Sequence, residues 1–279
     1  MASVEHKSHD MGLHTEQLAG RTQQRFFDAT ADENFTYPWS HQTDRARSAS
    51  FDAADMSPTE INIKIRQLLE SGHGDIMIKN PRAKHAVGVG ILNPVNITFD
   101  GSLGYFGVGL IDGPNIHITG RVGWSCAENM MAGTVVIDGN GGSTFGAAIR
   151  GGDLVCRGDV GSRTGIDQKG GSIIVGGRTG AFSGFMMQRG RMVICGDAGK
   201  NLGDSMYDGT IYVGGEITDL GVDCVPADLT GLDVKWLTHK LGMYDVSPKC
   251  GIENMKKFVA GKQLWNYDNL EPSEKKLVL

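Results

Sequence analysis

The chain has 279 residues, 41 of them glycine, and carries 27 basic against 32 acidic residues for a net charge of −5. With 40% hydrophobic and 21% charged residues it can supply a core, which argues against disorder, and without glycine at every third position it is not collagen. The acid excess argues against a nucleic-acid platform, and no apolar run approaches the ~18 residues of a membrane span.

The start, Met1 to His6, has no basic-then-apolar leader pattern, so a secretory signal is not expected. Five cysteines with no Cys-x-x-Cys spacing suggest reduced thiols and a cytoplasmic protein. Residues 1–50 show little apolar periodicity and read as an extended or partly disordered arm. Its His6, His9 and His14 read as solvated rather than as a metal cluster. Residues 51–95 read as a capping helix with lead-in strands. Ser57-Pro58-Thr59-Glu60 is a capping box with proline at the first helical position. Ile61, Ile65, Leu68 and Leu69 then share one face of a helix ending near Gly72, and Asp75–Lys79 reads as an irregular strand.

Residues 96–215 hold 30 of the glycines, and these repeat. Gly101, Gly120, Gly139, Gly158, Gly177, Gly196 and Gly215 lie 19 residues apart without an insertion. A second series three residues on runs from Gly104 to Gly199, and later coils add Gly146, Gly165, Gly184 and Gly203. Each anchor follows an apolar-x-apolar triplet, such as Ile116-His117-Ile118 or Ile173-Ile174-Val175. A short strand and glycine corners in every unit, with no stretch long enough for a helix, predict an all-β parallel β-helix of seven regular coils over 96–221. The anchor glycines are expected to supply both positive φ and close backbone approach at the corners.

The register sets the faces. One inward column runs Ile97, Ile116, Val135, Leu154, Ile173, Met192, Ile211; another runs Phe99, Ile118, Ile137, Cys156, Val175, Ile194, Val213. A third, Ile111, Met130, Ile149, Gln168, Met187, Met206, should line another wall, its methionines acting as core filler. The intervening outward column contains Val136, Val155, Ile174 and Val193. Water is not normally left against four stacked β-branched side chains, so this strip is a candidate partner interface; cover by the chain's own terminal segments is the alternative. Residues 222–279 read as a helical cap and tail. Helices near 228–241 and, after Ser247-Pro248, near 250–260 should close the lower end, with Leu264 to Tyr267 as an anchored tail.

No catalytic machinery is evident. A phosphate-cradling glycine loop, a nine-residue calcium repeat and a cysteine cluster for iron–sulfur or zinc are all missing from the pattern. Ala2 after Met1 leaves no N-terminal nucleophile of the amidotransferase kind. Cys126, Cys156 and Cys195 occupy separate coils, with Cys156 inward and inert. The outward Glu128, Arg163, Asp167, Arg178 and Asp204 read as solvated corner residues. Catalytic, cofactor and metal ligands are therefore all expected to be absent from this chain.

The segment from Gly177 to Gly209, with glycines at 180, 184, 190, 196, 199 and 203, resembles the GXGXG domain. That family forms the C-terminal β-helix of the glutamate synthase large subunit, and it also occurs as a separate chain in N-methylglutamate synthase and in formylmethanofuran dehydrogenase. The resemblance spans roughly residues 75–225. The run Ser205 to Gly215 and the tail Leu264-Trp265-Asn266 look closest to the N-methylglutamate synthase type. It implies right-handed winding and a non-catalytic scaffold role in a hetero-oligomer. The implied companions are a class II glutamine-amidotransferase-like subunit and a glutamate-synthase-like subunit carrying FMN and an iron–sulfur cluster. A formylmethanofuran dehydrogenase-like one-carbon complex and a free-standing solenoid are the alternatives. The chain departs from the family pattern at Ser125 to Asn129 and at Thr218.

Overall fold

Alternation of apolar residues at a 19-residue period becomes strand stacking. In the computed structural model the described residues are 41–261, and their eleven strands form one sheet. In chain order these are β1 (Asp44–Asp52), β2 (His73–Lys79), β3 (Asn96–Asp100), β4 (Asp112–Ile118) and β5 (Ala132–Ile137). They continue as β6 (Asp153–Cys156), β7 (Lys169–Val175), β8 (Arg189–Ile194), β9 (Thr210–Val213), β10 (Cys224–Ala227) and β11 (Lys256–Ala260). There are two α-helices among the described residues, α1 (Pro58–Glu70) and α2 (Gly231–Tyr244). Strands β1 to β9 pair in parallel, each with the next. From β3 to β9 the strand-core partners are 19 residues apart, as Ile97 with Ile116, Val135 with Leu154 and Met192 with Ile211, while Asp112 with Ala132 and Lys169 with Arg189 are shifted by one. The chain is a parallel β-solenoid of about seven regular coils.

Every residue of the three inward columns is at most 2% exposed. The single polar member, Gln168, shares its amide N–H groups among the carbonyls of Gly170, Gly171 and Arg191, while its Oε1 has no partner. At the N-terminal end α1 forms as expected. Ser57 Oγ accepts from Glu60 N, the Glu60 carboxylate accepts from Ser57 N, and Ile61, Ile65 and Leu69 are buried in the main core.

The corners differ from the expectation. Of the seven anchor glycines, only Gly101 takes a positive φ, at 138°. The other six are glycine because coils stack too closely: a Cβ on Gly139 would lie 2.7 Å from the Gly120 carbonyl oxygen. The positive-φ work is done elsewhere, at every second residue of a six-residue corner. Thr144, Gly146 and Ala148 form one such set, and Arg163, Gly165 and Asp167 the next. In the first set the N–H groups reach both neighbouring coils. Thr144 N and Ala148 N donate onward to Ser162 and Ile166, and Gly146 N donates back to Cys126. The inter-coil ladder thus continues through a corner that is not a strand, leaving its backbone groups satisfied.

Both chain ends also depart from the reading. Residues 44–50, assigned to an extended arm, belong to β1, which pairs with β2 and carries the boundary at 50/51 inside a strand. The helix expected at 250–260 is a short 3-10 turn, Ile252–Asn254, followed by β11. β11 runs antiparallel against both β9 and β10, and Phe258 is buried opposite Ile211. Open edge groups of β9 need partners, and a strand supplies them where a helix cannot. The arm histidines and the Leu264 to Tyr267 tail lie outside the described residues.

Candidate functional site

The outward strip is covered by α2. Thr230 caps that helix, its side chain accepting from Asp233 N while the Asp233 carboxylate accepts from Thr230 N. Leu237, Leu241 and Tyr244 on one face of α2, with Met255 beyond it, pack on Val155, Ile174, Val193 and Tyr212. Val155, Ile174 and Val193 are 0% exposed, and Val136 is half-buried beside the same cluster. The strip taken as a candidate partner interface is therefore an intramolecular one, since three of its residues have no surface left to offer. The sequence hid this because α2 alternates apolar with polar residues on a narrow face, and nothing in its pattern names the coil on which it lands.

Two carboxylates clasp the helix to the coils. Asp233 accepts from Tyr212 Oη at 2.6 Å and from Lys257 Nζ at 2.8 Å. Asp153 on β6 accepts from Tyr244 Oη at 2.6 Å and from Lys240 Nζ at 2.5 Å. Burial pulls the Asp233 pKa upward, but hydrogen bonds from Lys257, Tyr212 and Thr230 outweigh it and hold the carboxyl below the usual carboxylate range. Trp236 stacks on Tyr212 and takes the Arg191 guanidinium on its ring at 4.6 Å.

Where α2 ends, the same face opens into a groove of about 560 Å³ lined by Thr98, His117, Val136, Arg157, Met243 and Tyr244 among others. His117 Nε2 and Arg157 Nη1 each lie 2.8 Å from a different oxygen of Asp138. Arg157 Nε also donates to the Tyr244 carbonyl at 3.4 Å. This polar cluster ties the helix end to β4 through β6, with the His117 ring and the Arg157 guanidinium both engaged by one carboxylate.

The other residues singled out in the sequence do not converge. Arg178 pairs with Asp159, Asp167 with Lys169, Arg163 lies over the Phe182 ring, and Asp204 accepts from Ser205 and from Val222 N. All five cysteines are free. Burial pushes the Cys156 and Cys195 thiols up to about 12 and Cys224 to about 11, with Cys126 raised further. Thiols so far from ionisation are packing groups rather than nucleophiles or ligands. Among the described residues no group of three or more His, Cys, Asp or Glu is placed to hold a metal ion.

One surface went unread in the sequence. On the first two regular coils Tyr105, Phe106, Leu110, Trp124 and Met131 are each between 39% and 57% exposed. The signal was present in the register, since the Tyr105 and Trp124 column continues as Ser143, Ser162 and Ala181. Compared with protein-family models and with curated proteins, the chain matches none. No helix of the described residues is long and apolar enough to cross a membrane.

Proposed function

We propose that the chain is a structural subunit of a glutamate-synthase-like complex, with no active site of its own. In this reading it holds a class II glutamine-amidotransferase-like subunit and an FMN- and iron–sulfur-bearing synthase-like subunit at a fixed separation. The observation that carries it is the 19-residue register of the stacked strand cores from β3 to β9, shifted by one residue only at the starts of the β4–β5 and β7–β8 pairings, with the glycine pattern of the GXGXG domain. Each coil adds ~4.8 Å, so a stack of seven is a spacer of about 30 Å. Four buried thiols with raised pKa values, Cys126, Cys156, Cys195 and Cys224, fit a packing role in a reducing cytoplasm.

The test is purification of the tagged full-length chain from its native host. Both companion subunits should accompany it in fixed ratio, and glutamine-dependent formation of glutamate or N-methylglutamate should require all three. The chain alone should be colourless and inactive. A metal-dependent amidohydrolase among the companions would move the chain to a formylmethanofuran-type complex. Recovery as a lone stable monomer would leave a free-standing solenoid; either result overturns the proposal.

A further inference from the structure

We infer that the dipeptide Asn140-Gly141 is a site of covalent modification, where the Asn140 amide is slowly lost as ammonia. The reaction proceeds only when the coil after β5 parts from the coil after β6, and it makes that parting permanent. Asn140 is the one asparagine of the chain followed by glycine, and it is exposed. Without a Cβ in the way, the Gly141 nitrogen can close on the Asn140 side-chain carbonyl carbon. It gives up its proton to solvent hydroxide and bonds to Cγ, the Cγ–Nδ2 bond breaks, and the amide leaves as ammonia with a proton taken from water. Water then opens the cyclic imide at either carbonyl, leaving aspartate or isoaspartate at position 140.

The folded chain holds both reacting groups still. Gly141 N donates to the Asp159 carbonyl at 2.8 Å, and Asp159 N donates back to Asn140 Oδ1 at 2.9 Å. One residue of the next coil thus pins the attacking nitrogen together with the amide it would attack. The Asn140 carbonyl in turn accepts from Val122 N on the coil before. Gly141 is also closely packed, since a Cβ there would lie 3.0 Å from both Phe145 Cδ2 and Val160 Cγ1. Ring closure consumes the Gly141 N–H, so it breaks the bond to Asp159 and needs the two coils apart.

The two products act differently on the stack. Aspartate fits: Asp159 and Asp197 stand in the same column and cap Arg178 N and Glu216 N at 2.9 Å, as Asn140 caps Asp159 N. Isoaspartate does not, because it routes the main chain through the side-chain methylene and adds a backbone atom to a coil whose neighbours repeat every 19 residues. Just beyond it, Gly142 N pairs with the Gly123 carbonyl and Gly161 N with the Gly142 carbonyl, and a lengthened coil misaligns both. Stability of a stack is built from such contacts between neighbours, so one coil out of register weakens its attachment on both sides. The damage falls only on molecules that have opened, and it does not reverse. None of this depends on which assembly the chain serves.

The test holds the full-length chain in mildly alkaline buffer, with and without guanidinium chloride above its unfolding midpoint. Peptide mass spectrometry with electron-transfer fragmentation follows position 140 and separates aspartate from isoaspartate. Both products should form in denaturant, and the native chain should make them at least about tenfold more slowly. Val160→Ala, which opens a gap beside Gly141, should speed native conversion about threefold or more. Leu237→Ala, a core change on α2 away from this contact, should leave the native rate unchanged. Asn140→Ser removes the reacting amide and keeps a cap, since Ser102 Oγ accepts from Arg121 N at 3.1 Å in the first regular coil. That variant should hold its melting temperature through prolonged incubation, while wild type gains a lower-melting fraction that grows with isoaspartate. Equal rates with and without denaturant, or no product in denaturant, would overturn the inference. So would equal acceleration by Val160→Ala and Leu237→Ala, which would make global unfolding the gate. Isoaspartate-bearing chains that melt like wild type would remove the break in the stack.

Discussion

At Gly177 a β-carbon would sit 2.1 Å from Asp159 Oδ1 and 2.9 Å from the Gly158 carbonyl carbon. The carboxylate cannot step aside freely, because that same oxygen accepts from Arg178 N at 2.9 Å. Similar side-chain caps recur where Asn140 serves Asp159 N and Asp197 serves Glu216 N. The repeat therefore requires glycine at the anchor partly because the previous coil needs its Asn or Asp. We expect Gly177→Ala to lower stability by about 1–3 kcal/mol, an overpacking cost against backbone that cannot retreat. Gly242, exposed in the last turn of α2 with nothing within 4 Å of its would-be Cβ, supplies the contrast. Gly242→Ala should raise stability by about 0.5 kcal/mol through helix propensity. Denaturant midpoints of the two variants check the pair, and equal effects would remove the steric argument.

Helix α2 acts as the cover of the sheet's outer face, and its attachment is both apolar and ionic. Replacing Val155 and Ile174 with lysine places two ammonium groups where exposure is 0%. Each uncompensated charge costs about 3 kcal/mol, so the isolated chain should melt well below wild type. An unchanged melt would mean that α2 does not hold the strip in solution. Asp233 gives the clasp a pH dependence. Its folded pKa lies below the ordinary value, so its contribution is present above about pH 4 and is lost as pH falls through the folded pKa. Stability of wild type should decline from about pH 4 downward, and Asp233→Asn should flatten that decline while lowering stability at neutral pH. Urea midpoints across the acid range measure both effects.

The whole solenoid is a one-dimensional stack in which each coil relies on its two neighbours. Ile137 sits in the middle of an inward column at 0% exposure, with Ile118 on one side and Cys156 on the other. Ile137→Asp buries a carboxylate with no partner, at several kcal/mol. That is comparable with the ~5–15 kcal/mol of a typical domain, so loss of the cooperative melt is expected rather than a shifted one. Wild-type-like melting of this variant would show that the stack tolerates a local break. Protection at the ends comes from different devices: α1 plugs the first coils with Ile61, Ile65 and Leu69, while β11 and β10 seal the edge of β9. The first closes the core and the second pairs the edge of β9, where an open parallel edge would invite further strands.

The seven-coil architecture, the three buried columns and the limits of α1 to within a turn were legible from residue order alone. Strand alternation and a period without insertions leave no freedom in which residues stack. Ser57 and Glu60 mark the start of α1 by chemistry local to four residues. The identity of what covers Val155, Ile174 and Val193 was decided only in three dimensions, because it depends on where a distant helix returns. The same holds for Lys256–Ala260: its sequence tolerates helix or strand, and the unpaired edge of β9 selects the strand. The six anchor glycines after Gly101 show the divide within one residue type. Their positions are set by the period, but their cause is the approach of the neighbouring coil rather than the dihedral that glycine usually signals.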